Sequence, residues 1–268
     1  MQIRLHARNT FSFLVAAAFF CLGYLIFFKS GDGFPEIDVD LSNIVSYTVL
    51  AVEIGGYAVR KIHEENGTQI WCRIFSFWIL SDVQVYIDPL DATQEYTEGL
   101  TDYVTVMACV VVKDEPIFGA IFRPFSNEIV VGVKGWGVMT SSGGMIIPVN
   151  RKDTAKKVVV SRSHAGDVEN LVRRSFGEAY EVESAGGSGY KVLRLLNGTA
   201  ELYIHQTAIK KWDTCAGDAI LRSFGGAMLD LDGVPLRYVT LMLKVSGLIA
   251  SVRTPYMYIK KIVLNEKP

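Results

Sequence analysis

The sequence predicts a layered α/β (α+β) domain, and three observations lead to that prediction. A helical pattern extends from Asp40 to about Ile62, with apolar residues recurring along one face. Short β-prone runs follow one another in the first half of the chain, and strand-like segments alternate with helical ones in the second half. Strands mixed with helices are typical of folds in which sheets and helices pack in layers.

The elements can be placed in chain order. Asp40 is a suitable cap for the first helix. The β-prone runs of the first half are residues 83–87, 104–112, 117–122 and 129–133, with a turn at Asp114-Glu115-Pro116. The second half contains a strand at 157–160, a helix near 167–176 and a strand at 202–205. A last helical spacing follows Asp213 and ends at Gly225-Gly226.

Composition limits the kind of partner. The chain has 268 residues, half of them apolar, and a formal net charge of −1. This length allows one large domain or two small ones. A nearly neutral chain has no overall field that would attract a nucleic acid polymer, so any phosphate binding must come from local sites.

The N-terminal region has a character of its own. Residues 11–28 are 18 consecutive residues without a charge, and Arg4 and Arg8 precede them. Such a run is just long enough to cross a bilayer, and the arginines favour a cytoplasmic N-terminus. We predict a short cytoplasmic tail at 1–10, an uncleaved transmembrane signal-anchor at 11–28 and a luminal stem at 29–40. A cleaved signal peptide is the alternative.

Two glycosylation sequons agree with a luminal domain. They begin at Asn66 and Asn197, and each matches the pattern N-x-[ST]. Cys109 falls in a strand pattern and Cys215 near a helix start. We therefore expect both cysteines to be buried free thiols.

The stretch Asp88-Pro89-Leu90-Asp91-Ala92-Thr93 is the most informative motif. We expect the preceding strand to end at Asp88, which puts both acids at its carboxyl end, where open α/β folds place their chemistry. Hard cations such as Mg²⁺ prefer oxygen ligands, which two carboxylates and the Leu90 carbonyl can supply. The alternative is that Asp88 and Asp91 only shape a turn around Pro89.

A second motif, Lys210-Lys211-Trp212-Asp213-Thr214-Cys215-Ala216, lies more than a hundred residues downstream. The apolar spacing after it puts Asp213 at or next to a helix N-terminus. A carboxylate is stabilised there, and the free N–H groups can also hold a phosphate. Asp213 could alternatively be only a helix cap.

Together, D-P-L-D-A-T and K-K-W-D-x-C-A resemble motifs of the inositol monophosphatase family of lithium-sensitive, metal-dependent phosphatases. The resemblance covers roughly residues 38–62 and 83–251 and implies a five-layer α-β-α-β-α sandwich over 41–268. It implies Mg²⁺ as cofactor, bound by Asp88, Asp91, Asp213 and the Leu90 carbonyl. It also gives catalytic roles to Asp91 and Thr93, with Thr93 helping to activate the nucleophilic water.

The resemblance also implies a substrate. Val160-Ser161-Arg162-Ser163-His164 resembles a nucleotide-side motif, which suggests Ser161 and His164; His164 could instead be a solvated loop residue. The Gly-rich turn near Ser188 and Lys191 could hold a phosphate or could be a plain turn, and the resemblance adds Asp213 to the substrate-binding residues. The implied reaction converts adenosine 3′,5′-bisphosphate to AMP and phosphate in the Golgi lumen, in support of sulfation.

One departure from the family stands out. Only about twenty residues separate Ile62 from Val83, where family members carry a longer segment with a water-activating acid and a metal-binding Glu-Glu pair. Glu64 and Glu65 are candidate substitute ligands, or else the solvated end of the first helix, and Asp82 is a further candidate. The shortened segment is 63–82. One alternative function is therefore a relative that binds nucleotide or a partner protein without turnover. A phosphatase of inositol phosphates is a second alternative.

Overall fold

The computed structural model describes residues 40–65, 78–80, 82–149, 155–163, 167–238, 244–245, 247–253 and 255–266. Ser42–Pro268 form one compact unit. Its helices are α1 (Leu41–Glu64), α2 (Thr93–Thr97), α3 (Val168–Phe176), α4 (Ser188–Leu196), α5 (Lys211–Ser223) and α6 (Pro255–Glu266). Its first seven strands are β1 (Trp78–Leu80), β2 (Val83–Asp91), β3 (Thr105–Val112), β4 (Glu115–Arg123), β5 (Glu128–Val133), β6 (Gly137–Thr140) and β7 (Met145–Ile146). The others are β8 (Lys157–Ser161), β9 (Glu181–Ala185), β10 (Leu202–His205), β11 (Ile209–Lys210), β12 (Ala227–Leu229), β13 (Lys244–Val245) and β14 (Leu248–Ser251).

The first sheet is a seven-stranded meander in the order β1 to β7, in which each strand pairs antiparallel with the next. Side chains of β3 alternate between its two faces, as a pleated strand requires. Val106, Ala108 and Val110 pack toward the side of α1, together with Val52 and Val59 of that helix. The predicted first helix is confirmed, and it forms the outer layer on this face.

Helices α4 and α5 form the middle layer. The opposite face of β3 packs against both helices, and Met107, Val192 and Ala219 share one buried cluster. Glycine makes the close approach possible, because a Cβ at Gly119 would lie 2.3 Å from the Ala216 carbonyl oxygen of α5. The helix that carries Asp213 therefore lies directly against the first sheet.

The expectation of two free thiols is wrong. Cys109 of β3 and Cys215 of α5 form a disulfide, with their Cα atoms 5.7 Å apart. Both residues are buried, as expected, but 106 residues separate them along the chain. The helix and the strand bring them together through packing, which sequence spacing does not report.

The second sheet has five strands in the order β12-β14-β10-β8-β9, with β8, β9 and β10 parallel. Its inner face, with Val159 and Tyr203, joins the middle layer. Its outer face, with Val158 and Val160, packs with residues of α3 and α6. The layers run α-β-α-β-α, so the predicted sandwich is confirmed.

Strand β2 continues beyond its expected end at Asp88. It pairs with β3 through Asp91, and the register shifts between Asp88 and Asp91. Pro89 lies inside this irregularity, which fits a residue that has no N–H to donate to a ladder. The shift lets both aspartates stay on one strand while the backbone bends around the site.

The predicted signal-anchor at 11–28 lies outside the described residues. Among the residues that are described, no helix is both long enough and apolar enough to cross a membrane.

Two adjacent glycines of α1 should respond in opposite ways to alanine. A Cβ at Gly55 would meet Val106 at an ordinary 3.4 Å, whereas one at Gly56 would lie 2.1 Å from the Phe122 ring. We expect Gly55→Ala to raise the free energy of unfolding by about 1 kcal/mol, since alanine favours a helix interior. Gly56→Ala should lower it by about 1–3 kcal/mol through overpacking. Denaturant unfolding of both variants measures these changes. A lower free energy of unfolding in both variants would contradict the prediction.

An ion pair across the second sheet should make stability depend on acid pH. Glu183 accepts two hydrogen bonds from Arg194, at 2.6 and 3.1 Å, and one from Lys157. The Arg194 hydrogen bonds lower the pKa of Glu183 to about 2. A lowered folded-state pKa stabilises the fold above the ordinary glutamate pKa and ceases to do so as pH falls through 2. The difference in urea midpoint between wild type and Glu183→Gln should therefore shrink between pH 5 and pH 2; a constant difference would contradict this.

Candidate metal and phosphate site

Asp91 is the most firmly held of the predicted site residues. Its carboxylate accepts hydrogen bonds from the backbone N–H groups of Ser188, at 3.1 Å, and Gly189, at 2.8 Å. The Thr105 hydroxyl donates a third bond, at 2.9 Å. The free N–H groups at the start of α4 stabilise a carboxylate. The Gly-rich turn therefore binds Asp91 of the first sheet, where we expected its N–H groups to bind a phosphate.

Asp88 and Asp213 form a close acidic pair. Asp88 accepts a hydrogen bond from the Leu90 N–H at 3.1 Å, and its side chain also hydrogen-bonds Asp213. Burial raises the pKa of Asp88 well above its usual range, and the charges of Asp91 and Asp213 raise it further. Burial, followed by the charge of Asp91, raises the pKa of Asp213 to about 6. The three carboxylates are therefore close enough to repel one another.

Asp213 is positioned by the first turn of α5. It is the third residue of that helix, and its carboxylate accepts a hydrogen bond from the Lys210 N–H at 3.2 Å. This is the reciprocal half of a capping box. The expectation that Asp213 lies at a helix N-terminus is confirmed, and the helix aims it toward β2.

Thr93 lies directly after the aspartates. Its hydroxyl donates a hydrogen bond to the Leu90 carbonyl at 2.9 Å. A carbonyl oxygen has two lone pairs, so Leu90 can accept this bond and still offer an oxygen to a cation. The motif thus brings two carboxylates, one carbonyl and one hydroxyl to a single turn.

A cavity of about 390 Å³ opens beside these groups. Asp91, Glu95 and Asp213 form an acidic part of its wall. Further polar side chains of the wall are Thr93, Ser161, Ser163, Ser188, His205 and Lys210. Strands β8 and β10 are parallel neighbours, so their carboxyl ends deliver Ser161 and His205 to the same edge. The cavity is therefore acidic on the side of β2 and carries hydroxyl and basic groups on the side of the second sheet.

Lys191 has another position than the one we expected. It is buried in α4, and its ammonium donates a hydrogen bond to the Ala185 carbonyl at 3.1 Å. Burial lowers its pKa to about 8, against the attraction of Asp91, Glu95 and Asp213. Lys191 is not among the residues that line the cavity. In this structure it ties the end of β9 to α4 and stands behind the Gly-rich turn.

The candidate substitute acids do not line the cavity. Glu64 and Glu65 are exposed at the C-terminal end of α1, although the neighbouring His63 packs edge-on against Tyr96 of α2 at 5.3 Å. Asp82 precedes β2, so six residue steps of extended chain, roughly 20 Å, separate it from Asp88. Within the described residues, no three acidic, histidine or cysteine side chains already form a set that could hold a metal ion.

The chemistry of Asp88, Asp91 and Asp213 nevertheless fits a hard divalent cation. All three offer oxygen donors, and Asp88 and Asp91 are almost fully buried. Burial and, after it, neighbouring negative charge raise the pKa values of Asp88 and Asp213. A bound cation would remove that repulsion, because it is often the largest local charge in such a site.

Two residues of the cavity wall, Glu95 and His205, were not predicted from the sequence. Glu95 is buried and lies 3.4 Å from the Arg162 guanidinium. His205 is also buried and shares a hydrogen bond of 2.9 Å with the Thr207 hydroxyl. Glu95 stands two residues after Thr93, and His205 ends a predicted strand, so position at the end of an element was the available signal. Two predicted residues, His164 and Asn66, lie outside the described residues.

Solved structures share this fold. The structure of CysQ from Bacteroides thetaiotaomicron, described as a bacterial member of the inositol monophosphatase family, matches with a TM-score of 0.67 and 21% identity over 80% of this chain and 98% of that chain. An inositol monophosphatase from Anabaena (Nostoc) sp. PCC 7120 matches with a TM-score of 0.65 and 18% identity over 85% of this chain and 98% of that chain. At such identities the likeness concerns the fold alone. The layered architecture of this chain is therefore the one found in those two structures.

Sequence comparison carries the identification further. The model of the inositol monophosphatase family matches residues 58–263. The chain belongs to the inositol monophosphatase family.

Two named relatives are similar to this chain. It is 44% identical over 215 residues to inositol monophosphatase 3 of Danio rerio, a match that covers 74% of this chain and 61% of the relative. It is also 44% identical over 177 residues to the Golgi-resident adenosine 3′,5′-bisphosphate 3′-phosphatase of Homo sapiens, covering 64% of this chain and 48% of the relative. The chain thus spans about half to three fifths of the length of these relatives.

Proposed function

We propose that this chain is a Mg²⁺-dependent phosphomonoesterase that removes the 3′-phosphate of adenosine 3′,5′-bisphosphate, giving AMP and phosphate. The observation that carries the proposal is the group of Asp88, Asp91 and Asp213 beside a cavity of about 390 Å³. A relative that is 44% identical bears the name of this activity, which supports the choice of substrate.

The residues of the proposed site have different roles in the reaction. Asp88, Asp91, Asp213 and the Leu90 carbonyl would hold the cation, which neutralises phosphate charge, generates a nucleophilic water and stabilises the leaving oxygen when bound. Asp91 is kept in place by the N–H groups of α4. Thr93 presents its hydroxyl oxygen at the cavity wall, where it can accept a hydrogen bond from the attacking water. The water oxygen bonds to phosphorus as the bond from phosphorus to the 3′-oxygen breaks, and the proton that the water loses ends on the 3′-oxygen, which leaves as the ribose hydroxyl of AMP.

The far wall of the cavity suits the rest of a nucleotide. Ser161 and Ser163 offer hydroxyl groups there, and His205 offers a basic group, whereas Lys210 lies beside Asp213 on the metal side. A second phosphate needs donors and positive charge at a distance from the metal side. Two of the predicted substrate residues, Ser161 and Ser188, line the cavity. We propose that Lys191 supports the cavity wall from behind. This polarity favours a bisphosphate, whose two ends meet different walls.

The proposed location is the Golgi lumen, with the predicted segment 11–28 as a single membrane anchor. The Cys109–Cys215 disulfide supports an oxidising compartment. Asn197 is exposed in a turn after α4, where a glycan could be attached. The relative of Homo sapiens is named as Golgi-resident, which agrees with both features.

A specific observation favours a second candidate function, nucleotide binding without turnover. Glu64, Glu65 and Asp82 do not line the cavity, so none of these three candidates replaces the acids of the shortened segment 63–82. Loss of one acid or base in proton transfer typically costs about 10²–10⁴-fold in rate. A phosphatase of inositol phosphates is a further alternative, since another relative carries the name inositol monophosphatase 3.

Comparison of substrates tests the proposed function. The full chain is assayed with adenosine 3′,5′-bisphosphate and with inositol 1-phosphate in Mg²⁺, beside Asp213→Asn as a matched control. We expect kcat/KM to be at least tenfold higher for the nucleotide and to vanish for both substrates in the control. A preference for the inositol phosphate would replace the proposed substrate. Calorimetric binding of the nucleotide without phosphate release would favour the inactive relative.

A further inference from the structure

The Cys109–Cys215 disulfide joins the two parts of the fold that supply the aspartates. Cys109 on β3 pairs with Tyr86 of β2, two residues before Asp88, and the next pair of the same face joins Met107 to Asp88. Cys215 follows Asp213 by two residues on α5. The disulfide is therefore close to both members of the acidic pair. One cysteine is two residues from Asp213 along the same helix. The other is paired with a residue that precedes Asp88 by two positions on the neighbouring strand.

The acidic pair joins two separate elements, because Asp88 lies on β2 and Asp213 on α5. The distance between the two carboxylates therefore depends on how the helix is held against the strand. Noncovalent contacts also act at the start of α5: the Lys210 N–H bonds Asp213, the Tyr238 hydroxyl reaches Thr214 at 3.4 Å, and β11 pairs with β13. Apolar packing is not directional, so it limits separation of the layers more than sliding of the helix along the sheet.

A metal site tolerates little displacement of its ligands. Site residues must be held within about 0.5 Å of the productive geometry by the groups that support them. Neither sulfur lines the cavity, and both cysteines are at most 1% exposed, so the bond is shielded from solvent. Cys109 and Cys215 thus touch neither substrate nor reacting atoms, and any effect on chemistry passes through Asp213 and Asp88.

We propose that the Cys109–Cys215 disulfide holds Asp213 against Asp88 and thereby sets the affinity of the aspartate site for its divalent cation. The inference rests on the proposed function, because that function requires a cation at these carboxylates. Both cysteines are positioning residues. Their removal should weaken binding of the metal more than binding of the nucleotide.

The test measures metal binding directly. Two full-chain variants, Cys109→Ala/Cys215→Ala and the volume-preserving Cys109→Val/Cys215→Ala, are titrated with Mg²⁺ by calorimetry without nucleotide. Loss of residues that orient metal ligands typically lowers affinity about 10–100-fold, so we expect the Mg²⁺ Kd to rise at least tenfold in both. The Mg²⁺ concentration for half-maximal phosphate release should rise in parallel, while KM for the nucleotide at saturating Mg²⁺ stays within twofold.

Leu171→Ala is the matched control for a stability effect. Leu171 is buried in the outer cluster between the second sheet and its helices, far along the fold from the aspartates. This variant should lower the unfolding midpoint and leave the Mg²⁺ Kd unchanged. If the cysteine variants fold and keep the wild-type Kd, the inference is wrong and the bond only stabilises the fold. If the wild-type chain binds no Mg²⁺, the proposed function fails, and the inference falls with it.

Discussion

Asp88→Asn should lower Mg²⁺-dependent phosphate release by about 10²–10³-fold, the usual effect of removing one group that stabilises transition-state charge, while making the fold more stable. Burial and two neighbouring carboxylates raise the pKa of Asp88, so its ionised form is unfavourable in the folded protein. A neutral amide removes this repulsion and keeps an oxygen for the Leu90 N–H. The unfolding midpoint in EDTA should therefore rise, which is the pattern of a residue retained for function.

Asp91→Asn is the matched control for that variant. The Asp91 carboxylate accepts bonds from Ser188 and Gly189 N–H groups and from the Thr105 hydroxyl. An amide NH₂ placed on either oxygen position would face a donor and leave it unsatisfied, which costs about 1–3 kcal/mol. Activity and stability should both fall. A lower midpoint for Asp88→Asn than for Asp91→Asn would contradict this account of the site.

Asp218→Ala should cost about 3–5 kcal/mol in the free energy of unfolding, because it leaves the partly buried Arg222 guanidinium without its carboxylate and buried donors without their acceptor. Asp218 has no exposed surface and pairs with Arg222 at 2.9 Å. It also accepts hydrogen bonds from the Met228 N–H, at 2.9 Å, and the Tyr238 hydroxyl, at 3.2 Å. This aspartate lies five residues from Asp213 on the same helix, yet its partners satisfy it completely.

Denaturant unfolding measures this loss, and Asp218→Asn is the conservative control. The amide keeps one acceptor, so its loss should be smaller than that of alanine. Phosphate release by whatever fraction of either variant is folded should stay close to that of wild type. A change below 1 kcal/mol for Asp218→Ala would mean that Arg222 finds another partner.

Hydrophobic periodicity predicted the individual helices and strands, whereas the five-layer arrangement was implied by the family resemblance. Alternating apolar runs gave the central strands within a few residues, and the apolar face of the first helix matches its contact with the first sheet. The end of β2 was misplaced, because the sequence does not reveal that a bulge keeps Pro89 inside a paired strand. Local pattern predicts elements well and predicts irregular pairing poorly.

The site was predictable where chemistry is local. Asp88, Asp91 and Thr93 share one turn, and Asp213 begins a helix, so motif and capping rules locate them. Contacts between distant segments were not predictable, as Cys109 with Cys215 and Asp91 with the start of α4 demonstrate. A lysine near a Gly-rich turn suggests a phosphate ligand on pattern alone, and the sequence does not show that packing buries Lys191 and brings its ammonium to the Ala185 carbonyl.

Phosphate release from adenosine 3′,5′-bisphosphate by the purified full chain, with Mg²⁺ or EDTA and with or without Li⁺, tests the central claim most directly. We predict release that requires Mg²⁺, falls with Li⁺ and is lost in Asp88→Asn. A folded chain that binds the nucleotide but releases no phosphate would contradict the claim. It would mean that the shortened segment 63–82 lacks an acid that catalysis needs.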